Sequence, residues 1–570
     1  MHRPTVLRTL LLLATLLIGA ALFFSGCGGT SSGGSSSDKG GTSGTPPGGS
    51  GSPPAPPSGP GSTAGPGASV SILTHHYDVA RTGANSSETL LTPANVNSNQ
   101  FGKLFSFPVD GQMYAQPLYV PEVSIPGKGI HNVVYAATEH DSVYAFDADG
   151  ATTSPLWQRS FINPGAGITA VSDDDFPQPY EDIAPEIGIT STPVIDPSSG
   201  TLYLVAKTKE NGNFFQRLHA LDIASGAEKF GGPVTIQASV AGAGVRNDGN
   251  GNVVFDPLIN LQRSGLLLAG GTVYAAFASH GDFDPFNGWI LGYDAHTLKQ
   301  VVAYAPDADG SGGSVWQSGG GPAADAAGNI YVAVANGDFD VPGGGRDYGD
   351  SALKLRPAGG TFNVLDYFTP FDQQTLADLD HDLGSGGVVL LPDQPGNPSH
   401  LLLASNKEGK LYVINRDNMG RFNAANDNQI PQTLQLAGGI FSTPAVWQNK
   451  VYVSAVHDSL KSYTVNAGQL TLASDTGQVL GYPGSTPVVS ANGSSNGIVW
   501  TLQVDHQLSD AAVLHAYDAN DLSRELYNSM QAGDRDTAGA SVKFTVPVVA
   551  NGKVYVGGGD QFTVFGLLGK

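Results

Sequence analysis

A short phrase recurs along this chain: a small or polar residue, a proline, then two or three apolar residues. It reads AQPLYV at 115–120, STPVID at 191–196, GGPAAD at 320–325, STPAVW at 442–447, STPVVS at 485–490 and TVPVVA at 545–550. Two degenerate copies, RSGLLL at 263–268 and SGGVVLL at 385–391, fill the gaps that the spacing leaves. An alternating apolar run follows each copy, such as NVVYAAT, TLYLVAK or NIYVAVA, and then a third run that often ends in a turn, such as SVYAFDADG or RLHALDIASG. Alternation at period two marks strands, and a strand set returning at blade-sized intervals is the signature of a propeller of four-stranded sheets. The expected fold is all-β: an eight-bladed β-propeller with four-stranded antiparallel blades.

The last unit, from Lys543 to Leu567, supplies three strands. FGKLFSFPV at 101–109 has no unit of its own and is expected to pair as the outer strand of that last blade, closing the ring and leaving no open edge. A chain of 570 residues would otherwise suggest several domains; the repeat predicts one, over 70–570. The 76 Gly and 37 Pro fit turns between short strands and argue against a mainly helical protein.

Ahead of the repeats, Arg3 and Arg8 precede an apolar run from Leu10 to Phe24, the plan of a signal peptide over 1–26. Phe24-Ser25-Gly26-Cys27 resembles the lipobox of bacterial lipoproteins, in which the cysteine becomes the acylated N-terminus. That resemblance implies a cell-envelope lipoprotein anchored through lipid on Cys27, on the periplasmic side or the surface of an outer membrane. Residues 28–69 hold 14 Gly, 11 Ser, 8 Pro and 4 Thr with no large apolar side chain, so 27–69 reads as a disordered tether. As a Gly/Ser coil it would span on the order of 35 Å.

Fifty acidic against 28 basic side chains give a net charge of −22, which repels phosphate backbones and excludes nucleic acid as a partner. A single cysteine excludes intramolecular disulfides, Cys-based zinc sites, iron–sulfur clusters and covalently attached haem. In a propeller, the loops leading into the inner strands and the hairpins joining second to third strands share one face. The hairpin tips read Glu139-His140-Asp141, Lys207-Thr208-Lys209-Glu210, His280-Gly281-Asp282, Asn336-Gly337-Asp338, Asn406-Lys407-Glu408, His457-Asp458, Asp505-His506 and Asp560, and the entry loops add Glu186, Trp316 and Asp380-His381-Asp382, so five of the 13 His stand beside carboxylates there. That rim is the expected site.

The turns AFDADGATTSPLWQ and ALDIASGAEKF resemble the Ala-x-Asp-x-x-Thr-Gly-x-x-x-Trp repeat of quinoprotein dehydrogenases, propellers that bind pyrroloquinoline quinone (PQQ), and HHYDVARTGANSSETLLTPANVN resembles the segment leading into their first blade. VWQSGGGPAADAAGNIYVAVANG at 315–337 is similar to their fourth-blade segment, in which a Trp forms the floor beneath PQQ and an Asn binds calcium; Trp316 and Asn336 fall on those positions. The stretch from 378 to 420 resembles their next segment and puts Asp380 on the catalytic base, Asp382 two residues later, and Lys407 on the cation that contacts the quinone. Glu210, with a one-residue shift, falls on the family's calcium-binding Glu. The resemblance therefore implies PQQ and Ca2+ as cofactors, an alcohol or sugar as substrate, and Asn336 with Glu210 or Asp382 as metal ligands. The chemistry suits these types: a flat tricarboxylate needs an aromatic plane and a cation, and a carboxylate can take the alcohol proton. Non-catalytic relatives, among them the lipoprotein of the β-barrel assembly machinery, carry the same repeat, so the alternative is a scaffold that binds protein, peptide or glycan on the funnel face.

Overall fold

A computed structural model describes residues 70–569; the leader, Cys27 and the tether lie outside these residues. Eight antiparallel sheets follow one another along the chain, with inner strands at Leu118–Ile125, Val194–Asp196, Leu267–Ala269, Ala323–Ala324, Val389–Leu390, Ala445–Trp447, Val488–Asn492 and Val548–Ala550. These are the eight copies of the recurring phrase. In six of them the proline stands directly ahead of the strand, as Pro193 does before Val194, where its missing N–H interrupts no ladder. The sheet of Val548–Ala550, Lys553–Val556 and Gln561–Leu567 takes Phe101–Pro108 as its outer strand, antiparallel to Gln561–Leu567, with Phe101 opposite Leu567 and Pro108 opposite Gln561.

An apolar cluster fills each of the eight gaps between neighbouring blades. Between the second and third blades, for example, Tyr203 and Leu218 meet Val273, Trp289 and Leu291, all fully buried. Eight separate wedges of core, rather than one central core, are what a ring requires, because every sheet is covered on both faces. Trp157 shows how a repeat turn docks: its indole N–H donates to Ile223 O at 3.0 Å, and its ring lies where a Cβ on Gly226, held at φ 68, would sit 2.7 Å from Cε3.

The axis is crossed by the N-terminal segment. Residues 72–85 form a hoop hydrogen-bonded to all eight blades: Ile72 to Tyr119, Leu73 O to Ile195, Val79 O to Ala324, Ala80 O to Leu390, Thr82 O to Val446, Gly83 O to Val489, Asn85 Nδ2 to Val549 O, and Arg81 Nη2 to Leu266 O. Arg81 is fully buried and reaches no carboxylate. Its guanidinium also donates to Pro322 O at 3.0 Å, Thr74 Oγ1 at 2.7 Å and His75 O at 2.8 Å. The hoop floors the funnel, for Gly321, which begins the inner-strand approach of the fourth blade, packs against the Arg81 guanidinium.

Candidate functional site

A cavity of about 380 Å³ opens between the loops leading into the inner strands and the tips of three hairpins. Trp316, Asn336, Asp380, Asp382 and Lys407 all line it. They arrive from four turns, Asp380 and Asp382 sharing one, and local geometry fixes several of them. Trp316 is followed by Gln317 and Ser318, both with positive φ (48° and 49°), a conformation costing on the order of 1–3 kcal/mol per residue. The strain is held by side chains: Gln317 Oε1 accepts from Ala333 N at 3.0 Å, its Nε2 donates to Gly320 and Gly321 carbonyls, and Ser318 Oγ donates to Ser385 O at 2.5 Å. Asp380 ends the short helix Gln373–Leu379 in the left-handed region at φ 58, a conformation Asp tolerates better than most residues. Asn336 and Lys407 sit at the tips of the fourth and fifth blade hairpins.

The five side chains form one network. Lys407 Nζ lies 2.8 Å from Asp380 Oδ1 and 2.8 Å from Asp382 Oδ2. Asn336 Nδ2 donates to Asp380 Oδ1 at 2.8 Å and its backbone N–H to Asp382 Oδ1 at 3.2 Å. The Trp316 indole N–H donates to Asp382 Oδ2 at 3.2 Å, and the Lys407 ammonium stands 5.6 Å from the centre of the Trp316 ring. Burial pushes the Asp382 carboxyl up, Lys407 opposes that shift, and Asp380 adds to it. Burial works against the charge on Lys407, but Asp382 and Asp380 outweigh it and hold the ammonium above its ordinary range.

Two further groups stand in the wall, of which only Asp282 lay on the rim that the sequence marked. Asp282, at the tip of the third-blade hairpin, faces the cavity in reach of solvent, yet surrounding protein first and Asp382 second push its carboxyl up to about 6. Across from it stand Phe441, Tyr482 and Phe544, whose ring centres lie 5.4–6.4 Å apart, with Trp316 6.1 Å from Phe441. Each of these rings comes alone from the leading loop of a different blade, so no spacing in the sequence announces them.

Glu210 is not part of the site. The second-blade hairpin turns at Asn211-Gly212, both with positive φ, and not at 207–210, so Thr201–Glu210 is a continuous strand that carries Glu210 to a tip away from the cavity. Asn-Gly is the strongest two-residue hairpin signal, and it overrides the register carried over from the family. There the Glu210 carboxylate forks onto Arg217, with Oε2 3.0 Å from Nη2. Nor do the five rim histidines line the cavity: His140 pairs with Glu186 at 2.6 Å, His381 with Glu408 at 3.3 Å and His506 with Asp510 at 2.7 Å, while His280 is buried 2.8 Å from Lys207 Nζ.

Eight four-stranded blades with a polar cavity in the funnel define the class: a large β-propeller of the kind found in quinoprotein dehydrogenases. The structure is similar to quinohemoprotein alcohol dehydrogenase from Comamonas testosteroni (TM-score 0.58, 16% identity, 88% of this chain and 81% of that one). It is similar also to quinohemoprotein alcohol dehydrogenase ADHIIG from Pseudomonas putida HK5 (0.56, 14%, 88% and 80%) and to a europium-containing methanol dehydrogenase (0.52, 14%, 87% and 98%). At these identities the likeness establishes the fold. No protein-family model and no curated protein sequence matches the chain.

The residues can be tested against both implied cofactors. A quinone fits the plane and the space: Trp316 offers a half-buried indole in a cavity within the roughly 300–1,000 Å³ range of small-molecule sites, and Lys407 offers a cation at its edge. Calcium does not fit. Of its carried-over ligands, Glu210 is elsewhere, Asn336 turns its amide nitrogen rather than its oxygen toward Asp380, and Lys407 already stands between the two carboxylates. Among the described residues, no group of three or more His, Cys, Asp or Glu is placed to hold a metal ion.

Proposed function

We propose that this chain is a membrane-tethered, extracytoplasmic propeller that binds a planar quinone cofactor in its funnel and oxidises an alcohol or sugar there. The observation that carries the reading is convergence: Trp316, Asn336, Asp380 and Lys407, matched to the family in two separate stretches of sequence, line one cavity together with Asp382. PQQ, when bound, would supply a two-electron acceptor, held against Trp316 and facing Lys407. The chain's own groups do the rest. Asp380, exposed to the cavity, takes the proton of the substrate hydroxyl. Asn336 and Lys407 fix Asp380 Oδ1 from two sides, so the carboxylate is oriented before a substrate arrives. Phe441, Tyr482 and Phe544 form an apolar wall that strips water from the carbon skeleton. The test is dye-linked oxidation of an alcohol and sugar panel by protein loaded with PQQ, with Asp380→Asn expected to lower kcat roughly 10²–10⁴-fold while leaving cofactor binding in place.

A second reading, ligand binding without redox chemistry, is favoured by charge. Asp182, Asp282, Asp380 and Asp382 line the cavity against Lys407, a poor setting for a tricarboxylate and a good one for a neutral or cationic ligand. Tight binding of a glycan or peptide that needs no cofactor would support it.

A further inference from the structure

We infer that Lys407 is an internal cation standing where a metal ion would otherwise join Asp380 to Asp382, so that this cavity bridges its acidic pair without a metal. The inference rests on reading the cavity as a functional site, and it is independent of whether a quinone binds. A single ammonium nitrogen is 2.8 Å from one oxygen of each carboxylate, the separation of two charge-assisted hydrogen bonds. Asp382 is 4% exposed, so its charge needs a permanent partner, and Lys407 supplies it from a side chain that is itself 19% exposed. The lysine is held there by its own backbone: its N–H donates to the carbonyls of both His381 and Asp382 at 3.3 Å, fixing the hairpin tip against the loop that carries the two acids. Asn336 supports the same arrangement, since its amide N–H completes Asp380 Oδ1 while its own oxygen is buried without a partner and away from the carboxylate it serves. The ammonium occupies one oxygen of each carboxylate, so an ion joining those same two oxygens would have to expel it.

Lysine at this position thus sets the cation specificity of the site: an ammonium built into the chain instead of a bound metal. The test uses terbium(III), whose luminescence is sensitised by a nearby indole, and Trp316 is hydrogen-bonded to Asp382. The wild-type protein, with or without PQQ, is expected to show no sensitised signal that depends on Asp382, and no calcium uptake by calorimetry that Asp382→Asn removes. Lys407→Ala is expected to gain a terbium signal that Asp382→Asn and Trp316→Phe each abolish. A wild-type protein that takes up one terbium or calcium ion per chain, lost in Asp382→Asn, would overturn the inference whatever happens to the Lys407 variant. So would a folded Lys407→Ala protein, checked by circular dichroism, that gains no ion.

Discussion

The ammonium nitrogen of Lys407 lies 2.8 Å from Oδ2 of Asp382, a carboxylate almost sealed from solvent. Replacing the lysine by methionine keeps the stem and removes the charge, leaving the buried Asp382 carboxyl without its ion-pair partner. Such a break in a buried pair costs about 3–5 kcal/mol, and the loss should shrink when Asp382→Asn is added. Denaturant unfolding of the two single variants and the double variant measures the coupling. Equal stability of Lys407→Met and wild type would show that the pair is not closed in solution.

Stability should respond to pH through two buried groups, Glu139 and Lys207. Burial pushes Glu139 up from 4.5 to about 7 and pulls Lys207 down from 10.5 to about 7. Between pH 4.5 and 7 the folded state keeps a proton on Glu139 that the unfolded chain releases, so this contribution falls as pH rises. Between pH 7 and 10.5 the unfolded chain holds a proton on Lys207 that the folded state lacks, so that contribution rises with pH. Urea unfolding at pH 5, 7 and 9 should place the minimum of this contribution near pH 7. Glu139→Gln should remove the acid arm and leave the alkaline arm intact.

The hoop makes a separate prediction. Arg81→Ala removes four hydrogen bonds from a fully buried guanidinium and should lower unfolding free energy by on the order of 3 kcal/mol. Arg81→Lys should not restore it, because one ammonium cannot reach carbonyls of the third and fourth blades and of the hoop together. A wild-type melting curve for Arg81→Ala would mean that the ring does not depend on its floor.

Asp282 should tune ligand binding between pH 5 and 7, since its carboxyl titrates near 6 at the cavity wall. A cationic probe such as choline should bind more tightly as pH rises through that window, and Asp282→Asn should flatten the profile. An unchanged profile in the variant would remove Asp282 from the site.

The eight blades were legible because the proline phrase marks each inner strand and period-two runs mark the next strands; nothing about those strands depends on partners far away. Trp316, Asn336, Asp380, Asp382 and Lys407 were legible through two stretches that keep the family's spacing. Glu210 was not, because a two-residue Asn-Gly turn moved the hairpin tip beyond it and Arg217, seven residues on, captured its charge. The hoop escaped notice for a different reason: its bonds run largely through backbone carbonyls to strands hundreds of residues away, and a carbonyl leaves no mark on sequence. The aromatic wall escaped in a similar way, each ring contributed singly by one blade and brought together by ring closure.

The central claim, that these residues form a working quinone site, is tested most directly by equilibrium titration of the metal-free soluble propeller with PQQ, following Trp316 emission and cofactor absorbance. The account predicts saturable binding of one PQQ per chain at micromolar concentration or tighter, with quenching that Trp316→Phe removes and affinity that Lys407→Met weakens by about tenfold or more, roughly 1.4 kcal/mol. Absence of saturable binding at micromolar PQQ, in protein shown to be folded, would contradict it.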